Sequence, residues 1–311
     1  MGLLRRLWGL RPRVYALLDR PGTRLLLAFL ATRAARRETD EDVGIVYRGA
    51  WFARYRGRCV AATGSAHFVY RHGNDIPGLH RAQLEDVEDT WFHVYRPRAG
   101  DVVVDVGAGI GTETSVFSEA VGPNGRVLSI EAHPATFRIL QAQVRANRLE
   151  NVRLCPFAVT DTARDVFIED RQRHERNTIN SEWAPGLRRE PVRGLPLDEI
   201  RRRFGVDRVD FLKMNIEGAE SMALEGMRET IGRTQHVCIA CHDFLGAEGE
   251  RYQTRAQVVA FLREHGFRVE TRDDDERPWV RDHVHAVRVP LNGVARPQPA
   301  RRGEPRPSRS T

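Results

Sequence analysis

Short apolar runs alternate with longer amphipathic segments between residues 101 and 290. These runs predict five strands, at Val102 to Val106, Arg126 to Glu131, Val152 to Cys155, Val209 to Met214 and Val237 to Cys241. The amphipathic segments predict helices that begin near Gly111, Pro134 and Gly218, with a further helix over Thr254 to His265. Apolar strands alternating with helices are typical of a parallel sheet covered on both faces. The pattern therefore predicts a doubly wound α/β domain.

The last two strands of this domain are predicted to pair with each other. They span Phe267 to Thr271 and His283 to Val289, and an acidic stretch with a proline joins them. Such a pair predicts an antiparallel hairpin that closes one edge of the sheet. Residues 169 to 195 are polar, rich in arginine and without apolar periodicity, so they predict a long loop over the sheet.

The first 85 residues predict an appendage made of helix and hairpin. Its amphipathic helix carries Arg20, Arg24 and Arg33 on one side and an apolar set on the other. That apolar set is Leu17, Leu18, Leu25, Leu26, Phe29 and Leu30. A hairpin is predicted within Gly44 to Val60, and a helix over Leu84 to Tyr95. We expect the appendage over residues 1–85, the α/β domain over 86–290, and a disordered tail over 291–311.

The basic residues are concentrated at the two ends of the chain. Arginine and lysine number 49 against 42 acidic residues, a net charge of +7. Residues 1–40 hold nine arginines and three acidic residues, and residues 291–311 hold five and one, so the rest carries −3. A faintly acidic body does not attract a phosphate backbone, and we therefore expect no nucleic-acid partner.

Cysteine content and hydropathy predict a cytoplasmic protein. Four cysteines among 311 residues are too few for a disulfide scaffold. No stretch approaches the roughly 20 apolar residues that a membrane span needs. We expect the basic N-terminal helix to pack against the domain or a partner subunit, and contact with an anionic membrane is the alternative.

A glycine-rich turn follows the first strand of the domain, in VVVDVGAGIGTETSVF. Gly107, Gly109 and Gly111 lead into the next helix, and glycines there let a ligand lie against bare backbone at the helix N-terminus. The nicotinamide pattern spaces its glycines two and then three apart. Here Thr112 stands where the third glycine of that pattern would be.

Two acidic residues indicate which ligand this turn binds. A carboxylate at Asp105 repels a pyrophosphate but suits a cationic ligand without phosphate. Glu131, at the end of the second strand, is placed to accept hydrogen bonds from two ribose hydroxyls. S-adenosylmethionine meets both conditions, because its sulfonium and ammonium groups are positive. An oxidoreductase or epimerase that uses a nicotinamide nucleotide is the alternative, and the missing third glycine disfavours it.

The chain resembles the FkbM-type family of S-adenosylmethionine-dependent O-methyltransferases over about residues 85 to 270. The resemblance is carried by DVGAGIGTET, IEAHPATFRILQAQVRANRLENVRL, PFAVTD, LPLDEI, VDFLKMNIEGAE and ALEGM. It implies a class I, Rossmann-like methyltransferase fold with a mainly parallel, seven-stranded sheet, and methyl transfer to a hydroxyl of a small molecule, sugar or lipid-linked glycan. It also implies that Phe157 and Ala158 lie at the adenine edge, and that the glycine turn and Glu131 hold the cofactor.

One position departs from the family pattern. The fourth strand of the family commonly ends K-x-D-x-E-G, whereas this chain has Lys213, Asn215 and Glu217. An asparagine donates and accepts hydrogen bonds, so we expect Asn215 to orient cofactor or substrate and not to act as a base. The same departure keeps open a non-catalytic protein that binds S-adenosylmethionine.

Methyl transfer to a hydroxyl needs a group that takes the proton. Candidates lie at the carboxyl ends of the strands, where open α/β sheets bind ligands. His242 is the predicted base, because a neutral imidazole accepts a proton near neutral pH. Lys213 is expected either to steady a developing alkoxide or to pair with Glu217 and hold the turn rigid.

Two further patterns lie near these candidates. Cys238, Cys241 and His242 spell C-x-x-C-H, but a strand turns the two cysteines to opposite sides, so neither haem nor zinc is expected there. The second pattern is a set of polar and aromatic residues in the predicted loop that could form a lid over the acceptor. Its members are Arg171, Arg173, Arg176, Asn177, Thr178 and Trp183.

Overall fold

The computed structural model describes residues 19–62, 75–170 and 188–289. Within these ranges the helices are α1 Arg24–Glu38, α2 Ile76–Asp89, α3 Thr112–Val121, α4 Pro134–Asn147, α5 Leu197–Arg203, α6 Glu220–Glu225, α7 Arg228–Gly232, α8 Arg255–Glu264 and α9 Pro278–Arg281. The strands are β1 Val43–Tyr47, β2 Trp51–Tyr55, β3 Arg58–Ala62, β4 Val102–Val106, β5 Arg126–Ile130, β6 Val152–Cys155, β7 Ala158–Val159, β8 Arg164–Asp170, β9 Arg188–Leu195, β10 Val209–Met214, β11 Thr234–Ala240, β12 Phe267–Thr271 and β13 His283–Arg288. Single 3-10 turns cover Asp243–Glu248 and Glu250–Tyr252.

A seven-stranded sheet forms the centre of the molecule, in the order β12-β13-β11-β10-β4-β5-β6. Only β13 runs against its neighbours, pairing antiparallel with both β11 and β12. The predicted fold class and the closing hairpin are confirmed. The strand order reverses between β4 and β10, and open α/β sheets bind ligands at such a switch point.

Alternate residues of the central strands enter two different apolar layers. Val104 and Val106 of β4 pack with Leu212 and Met214 of β10 on one face. Val103 and Phe211, from the same two strands, pack with Phe117 and Phe92 on the other face. Because both faces are covered by helices, these strands are mostly apolar in the sequence, and Asp105, Asp210 and Lys213 are the exceptions in β4 and β10. This is why their predicted bounds agree closely with the observed ones.

The N-terminal unit is a three-stranded antiparallel sheet, β1-β2-β3, where the sequence predicted a two-stranded hairpin. It is docked on helix α4, whose Gln143 and Asn147 amides both donate to the carbonyl of Cys59 at 2.9 and 2.8 Å. The Asn147 side chain also accepts from the Cys59 amide at 2.7 Å. The appendage is therefore bonded to the helix that follows the second strand of the central sheet.

Helix α2 differs from the prediction of a helix over Leu84 to Tyr95. It begins at Ile76, because the Asp75 carboxylate accepts a hydrogen bond from the Gly78 amide and Pro77 fixes the first turn. It ends at Asp89. The predicted domain boundary at residue 85 thus falls inside a helix and not in a linker.

The predicted loop over residues 169–195 is also partly wrong. Arg188–Leu195 forms β9, which pairs antiparallel with β8. Val166, Ile168 and Val192 of this pair are buried with Ala158, while their polar neighbours point outward. Glu190 and Gly194 occupy the inward positions on either side of Val192, and Phe167 faces outward on β8, so the sequence shows no clear apolar alternation here. The six proposed lid residues, between 171 and 183, lie outside the described residues.

Helix α1 packs with a different face from the predicted one. Leu27, Ala28, Ala31 and Ala35 contact the β1-β2 sheet, because the small alanines allow a close approach. The predicted apolar members that fall within the described residues are instead exposed: Leu25, Leu26, Phe29 and Leu30. In the part of the chain that the structure describes, no helix is long and apolar enough to cross a membrane.

Candidate active site

The glycine turn after β4 is held tightly at the carboxyl edge of the sheet. Gly107, Gly109 and Gly111 have φ angles of 73°, 56° and 90°, which L side chains rarely adopt. A Cβ atom on Gly107 would lie 1.9 Å from the carbonyl oxygen of Asn215. The turn therefore needs glycine both for its conformation and for its contact with the end of β10. Thr112 follows directly as the first residue of α3.

Asp105 and Lys213 form a fully buried ion pair beneath this turn. Lys213 Nζ lies 2.9 Å from Asp105 Oδ1 and donates to the Gly107 carbonyl at 2.7 Å. Thr114 Oγ1 donates to Asp105 Oδ2 at 2.7 Å. The expected pairing of Lys213 with Glu217 is wrong, because Asp105 is the partner. Lys213 already compensates the charge of Asp105. A direct contact between Asp105 and a cationic ligand therefore remains a prediction.

Glu131 joins the second strand to the glycine turn. Its Oε2 accepts from the Gly109 amide at 2.9 Å, and its Oε1 accepts from the His133 amide at 2.8 Å. Burial raises the pKa of this carboxyl to about 7. Each oxygen keeps a further lone pair, so the carboxylate is fixed in orientation and still able to accept two hydroxyl donors.

Phe157 and Ala158 lie next to Glu131 along the same edge. The Glu131 amide donates to the carbonyl of Cys155 at 3.1 Å, which brings the ends of β5 and β6 together. Phe157 is half-buried against the core, with the guanidinium of Arg203 5.8 Å from its ring centre. Their predicted contact with the adenine is consistent with this position and stays a prediction.

Glu217, His242 and Glu220 form a charged cluster at the ends of β10 and β11. Nε2 of His242 lies 3.4 Å from Glu217 Oε2, and Nδ1 lies 3.3 Å from Glu220 Oε1. Glu220 is fully buried and also accepts from Thr254 Oγ1 at 3.2 Å. Glu217 has a φ of 55°, a strained conformation of the kind that concentrates at functional sites.

The protonation of His242 differs from the expectation. Burial alone would lower its pKa, but the two carboxylates outweigh burial and raise the pKa to about 10. His242 is therefore an imidazolium near neutral pH and has no lone pair with which to accept a proton. The prediction that His242 acts as a neutral base is corrected, and Glu217 is the group of this cluster that can accept.

The chain is similar to known proteins of one family. Residues 105–269, more than half of the chain, match the family model described as the methyltransferase FkbM domain. The chain belongs to the FkbM methyltransferase family. A relative from Streptomyces tacrolimicus, "31-O-demethyl-FK506 methyltransferase FkbM", is 30% identical over 218 residues, covering 58% of this chain and 78% of that protein.

Two solved structures are similar at low identity. The FkbM methyltransferase of Methylobacillus flagellatus has a TM-score of 0.46 and 17% identity, covering 70% of this chain and 52% of that one. This chain thus matches about half of the length of that protein. Fibrillarin of Aeropyrum pernix with natively bound S-adenosylmethionine has a TM-score of 0.40 and 17% identity, covering 79% and 100%.

This FkbM-family member is a methyltransferase, and its cofactor is S-adenosylmethionine. The residues present fit that cofactor, because the glycine turn offers bare backbone and Glu131 offers two oriented oxygens. Asn215 Oδ1 is a buried oxygen without a hydrogen-bond partner among the described residues. The nicotinamide oxidoreductase considered from the sequence is not supported.

A pH dependence of cofactor binding is expected from Glu131. Glu131 is predicted to accept both ribose hydroxyls when it is ionised, and its pKa of about 7 means that it is mostly protonated at pH 6 and mostly ionised at pH 8. S-adenosylhomocysteine should therefore bind about tenfold more tightly at pH 8 than at pH 6. Isothermal titration measures this, and Glu131→Gln is the control that should bind weakly and without that slope. An equal slope in the variant would mean that another group titrates.

A cavity of about 360 Å³ opens between the charged cluster and helix α2. Its walls include Asn215, Glu217 and His242, together with Asp86 of α2 and Trp91. This volume suits a small organic ligand. Three of the four residues predicted at the ends of β10 and β11 are thus brought together here, whereas Lys213 is buried behind the ring of Trp91, 5.0 Å from its centre.

His283 is a cavity residue that sequence reasoning missed. Its Nδ1 lies 2.7 Å from the carbonyl oxygen of Trp279, which can only accept, so Nδ1 carries the proton. Burial lowers the pKa of His283 to about 4, and the ring is neutral at neutral pH. Nε2 is then an acceptor, and it has no hydrogen-bond partner among the described residues. No motif marks this residue, and only its place on β13 beside β11 brings it to the cavity.

The two cysteines of the C-x-x-C-H run face opposite sides of the sheet, as predicted. Cys238 belongs to the apolar layer of Phe211, and Cys241 belongs to the layer of Met214. Burial raises the pKa of both thiols, which keeps them protonated. Among the described residues no group of three or more His, Cys, Asp and Glu side chains is arranged to hold a metal ion.

Proposed function

We propose that this methyltransferase acts on oxygen: it transfers a methyl group from S-adenosylmethionine to a hydroxyl of a small molecule, sugar or lipid-linked glycan. The observation that carries the proposal is the cluster of Glu217, His242 and Glu220 in the wall of the cavity. When bound, S-adenosylmethionine supplies an electrophilic methyl group on a sulfonium. The chain itself must hold the acceptor and take its proton.

A hydroxyl is a poor nucleophile until a base takes its proton in the transition state. With His242 as an imidazolium, the cluster consists of one cation between two carboxylates and carries a net charge of −1. Uptake of one proton therefore leaves it neutral, whereas a single carboxylate paired with His242 would become cationic on uptake. The second carboxylate, Glu220, makes the cluster suitable as a proton acceptor.

Glu217 is the member of this cluster that meets the acceptor. Its side chain is 17% exposed, whereas that of Glu220 is 0% exposed. The acceptor hydroxyl donates to a Glu217 oxygen, and its proton passes to that carboxylate. His242 then stabilises the carboxylate of Glu220, which keeps its negative charge. Nε2 of His283 accepts a hydrogen bond from a second donor of the substrate and helps to orient it.

The relative from Streptomyces tacrolimicus supports the choice of oxygen. Its name, 31-O-demethyl-FK506 methyltransferase, specifies an oxygen that lacks its methyl group, and it is 30% identical to this chain. The acceptor of that relative is one of the hydroxyl compounds to be used in the test. Lys213 is not given a role at the acceptor, because its charge is engaged by Asp105.

Methyl transfer to a panel of acceptors tests the proposal. The full chain is incubated with S-adenosylmethionine and with sugars, polyketides and lipid-linked glycans that carry a free hydroxyl. Each acceptor is matched by an analogue with an amine in place of that hydroxyl. Mass spectrometry should find methyl ethers from the hydroxyl compounds. Products from the amine analogues alone would contradict O-methylation while leaving the methyltransferase assignment intact.

A further inference from the structure

Helix α1 presents an apolar patch to the outside of the molecule. Leu25, Leu26, Phe29 and Leu30 are 77%, 59%, 61% and 36% exposed. These positions follow the spacing i, i+1, i+4 and i+5, so the four side chains form one continuous surface over the first two turns of the helix. Four bulky apolar residues together on a surface mark a site of interaction and not a scattered exposure.

The helix cannot turn to bury this patch, because its inner face is already bonded. Thr32 Oγ1 donates to the Ile45 carbonyl at 3.0 Å and accepts from the Ile45 amide at 2.9 Å. Arg36 Nε donates to the Val43 carbonyl at 2.9 Å. Ala28 and Ala35 are buried against the same strand. The patch is therefore a fixed feature of the folded molecule.

Exposed arginines surround this apolar patch. Arg33 and Arg37 continue the same outward face toward the C-terminal end of the helix, and Arg20 is exposed just before its start. Among the described residues, Arg20, Arg33 and Arg37 make no ion pair, whereas Arg36 is paired with Asp42 at 3.3 Å. The carboxylate of Asp19 is engaged by Arg24 at 2.5 Å and by the Trp51 indole nitrogen at 3.0 Å. Three exposed arginines without an ion pair among the described residues, Arg20, Arg33 and Arg37, therefore add positive charge around the patch.

We propose that this face of α1 binds the surface of an anionic lipid bilayer. Leucine and phenylalanine side chains enter the boundary between headgroups and acyl chains, and the arginines contact lipid phosphates. A nucleic acid would use the arginines but would gain little from the four aliphatic and aromatic side chains. A protein partner is disfavoured by the same cationic rim, unless it is itself strongly acidic. The lipid surface satisfies both parts of the face at once.

Co-sedimentation of the full chain with vesicles tests this proposal. The vesicles are made of phosphatidylcholine, with and without phosphatidylglycerol, at low and at high salt. Leu26→Ser/Phe29→Ser removes apolar side chains from the patch, and Arg33→Gln/Arg37→Gln removes two charges. All four side chains are exposed, so both variants should fold. Phe167→Ser is the matched control, because Phe167 is 49% exposed on another surface, that of β8.

The chain should bind the vesicles that contain phosphatidylglycerol, and high salt should weaken that binding. Each double variant should bind at least about tenfold more weakly, while Phe167→Ser binds like the unaltered chain. Equal binding by all variants, or no binding to anionic vesicles, would overturn the proposal. So would self-association without vesicle binding, measured by light scattering and lost in Leu26→Ser/Phe29→Ser, since the face would then join two copies of the chain. S-adenosylhomocysteine binding should be unchanged in every variant, so this test is independent of the proposed methyl acceptor.

Discussion

Replacing Glu217 by glutamine is expected to lower kcat for methyl transfer by a factor of about 10² to 10⁴. The amide keeps the shape of the side chain but cannot take the acceptor's proton. It also leaves the imidazolium of His242 with one carboxylate, Glu220, so the cluster loses its net negative charge. The measurement is the steady-state rate with a hydroxyl acceptor identified from the panel.

The result needs two comparisons. Glu248→Gln removes an exposed carboxylate from the segment that follows His242, and its kcat should be unchanged. S-adenosylhomocysteine should bind Glu217→Gln as tightly as the unaltered chain, which separates lost chemistry from lost folding. If Glu217→Gln kept its kcat, another group would take the proton, and His283→Phe would be the next variant to measure.

Glu220 is expected to act through His242 and not on the substrate. It is fully buried, and it accepts from Thr254 and from the Gly218 amide at 3.3 Å. Glu220→Gln should lower kcat while leaving KM for the acceptor nearly unchanged. Because one carboxylate then remains beside His242, the pH dependence of kcat should also shift. A loss of stability without either kinetic change would mean that Glu220 is only structural.

Replacing Lys213 by methionine is expected to lower the free energy of unfolding by about 3 to 5 kcal/mol. Methionine fills a similar volume, but it leaves the carboxylate of Asp105 buried and uncompensated, and the Gly107 carbonyl loses its donor. Burial alone would lower the pKa of Lys213, yet Asp105 and neighbouring acids raise it, so the pair is charged. Urea denaturation followed by circular dichroism measures the change.

Two further variants make this prediction specific. Arg228→Met breaks an exposed ion pair with Glu225, and it should cost about 1 kcal/mol or less. Lys213→Met/Asp105→Asn removes both buried charges and should recover part of the lost stability. If Lys213→Met were as stable as the unaltered chain, Asp105 would have to be neutralised by protonation at little cost, and the pair would not be a source of stability.

The central sheet and the cofactor turn were predictable because their signals are local. A strand buried on both faces is apolar at most positions, and a glycine turn with positive φ angles requires its glycines. Strand β9 was missed because Glu190 and Gly194 stand at its inward positions beside Val192, so apolar residues do not alternate along it. Helix α2 was misplaced because its start depends on a cap by Asp75 that the apolar spacing does not reveal.

The acceptor cavity was only partly predictable, since its charges depend on contacts between distant segments. The ends of β10 and β11 indicated Glu217 and His242, but the sequence could not show that two carboxylates surround the imidazole. Glu220 ends the run VDFLKMNIEGAE, but the sequence assigned it no role, and His283 belongs to no motif; only the folded chain brings Glu220 beside His242 and His283 into the cavity wall. Lys213 pairs with Asp105 and not with Glu217, because Asp105 is buried directly opposite it on the adjacent strand β4.

Helix α2 connects the N-terminal sheet to the cavity proposed to hold the acceptor. His80 of this helix lies 3.2 Å from the Ala53 carbonyl of β2, and Asp86, less than two turns further on, lines the cavity. One wall of this cavity is thus formed by the helix that contacts the N-terminal sheet, whereas the opposite wall and the cofactor turn belong to the central sheet. The N-terminal unit therefore takes part in shaping this cavity, and a change in the contact between α2 and β2 would alter the cavity without altering the cofactor turn.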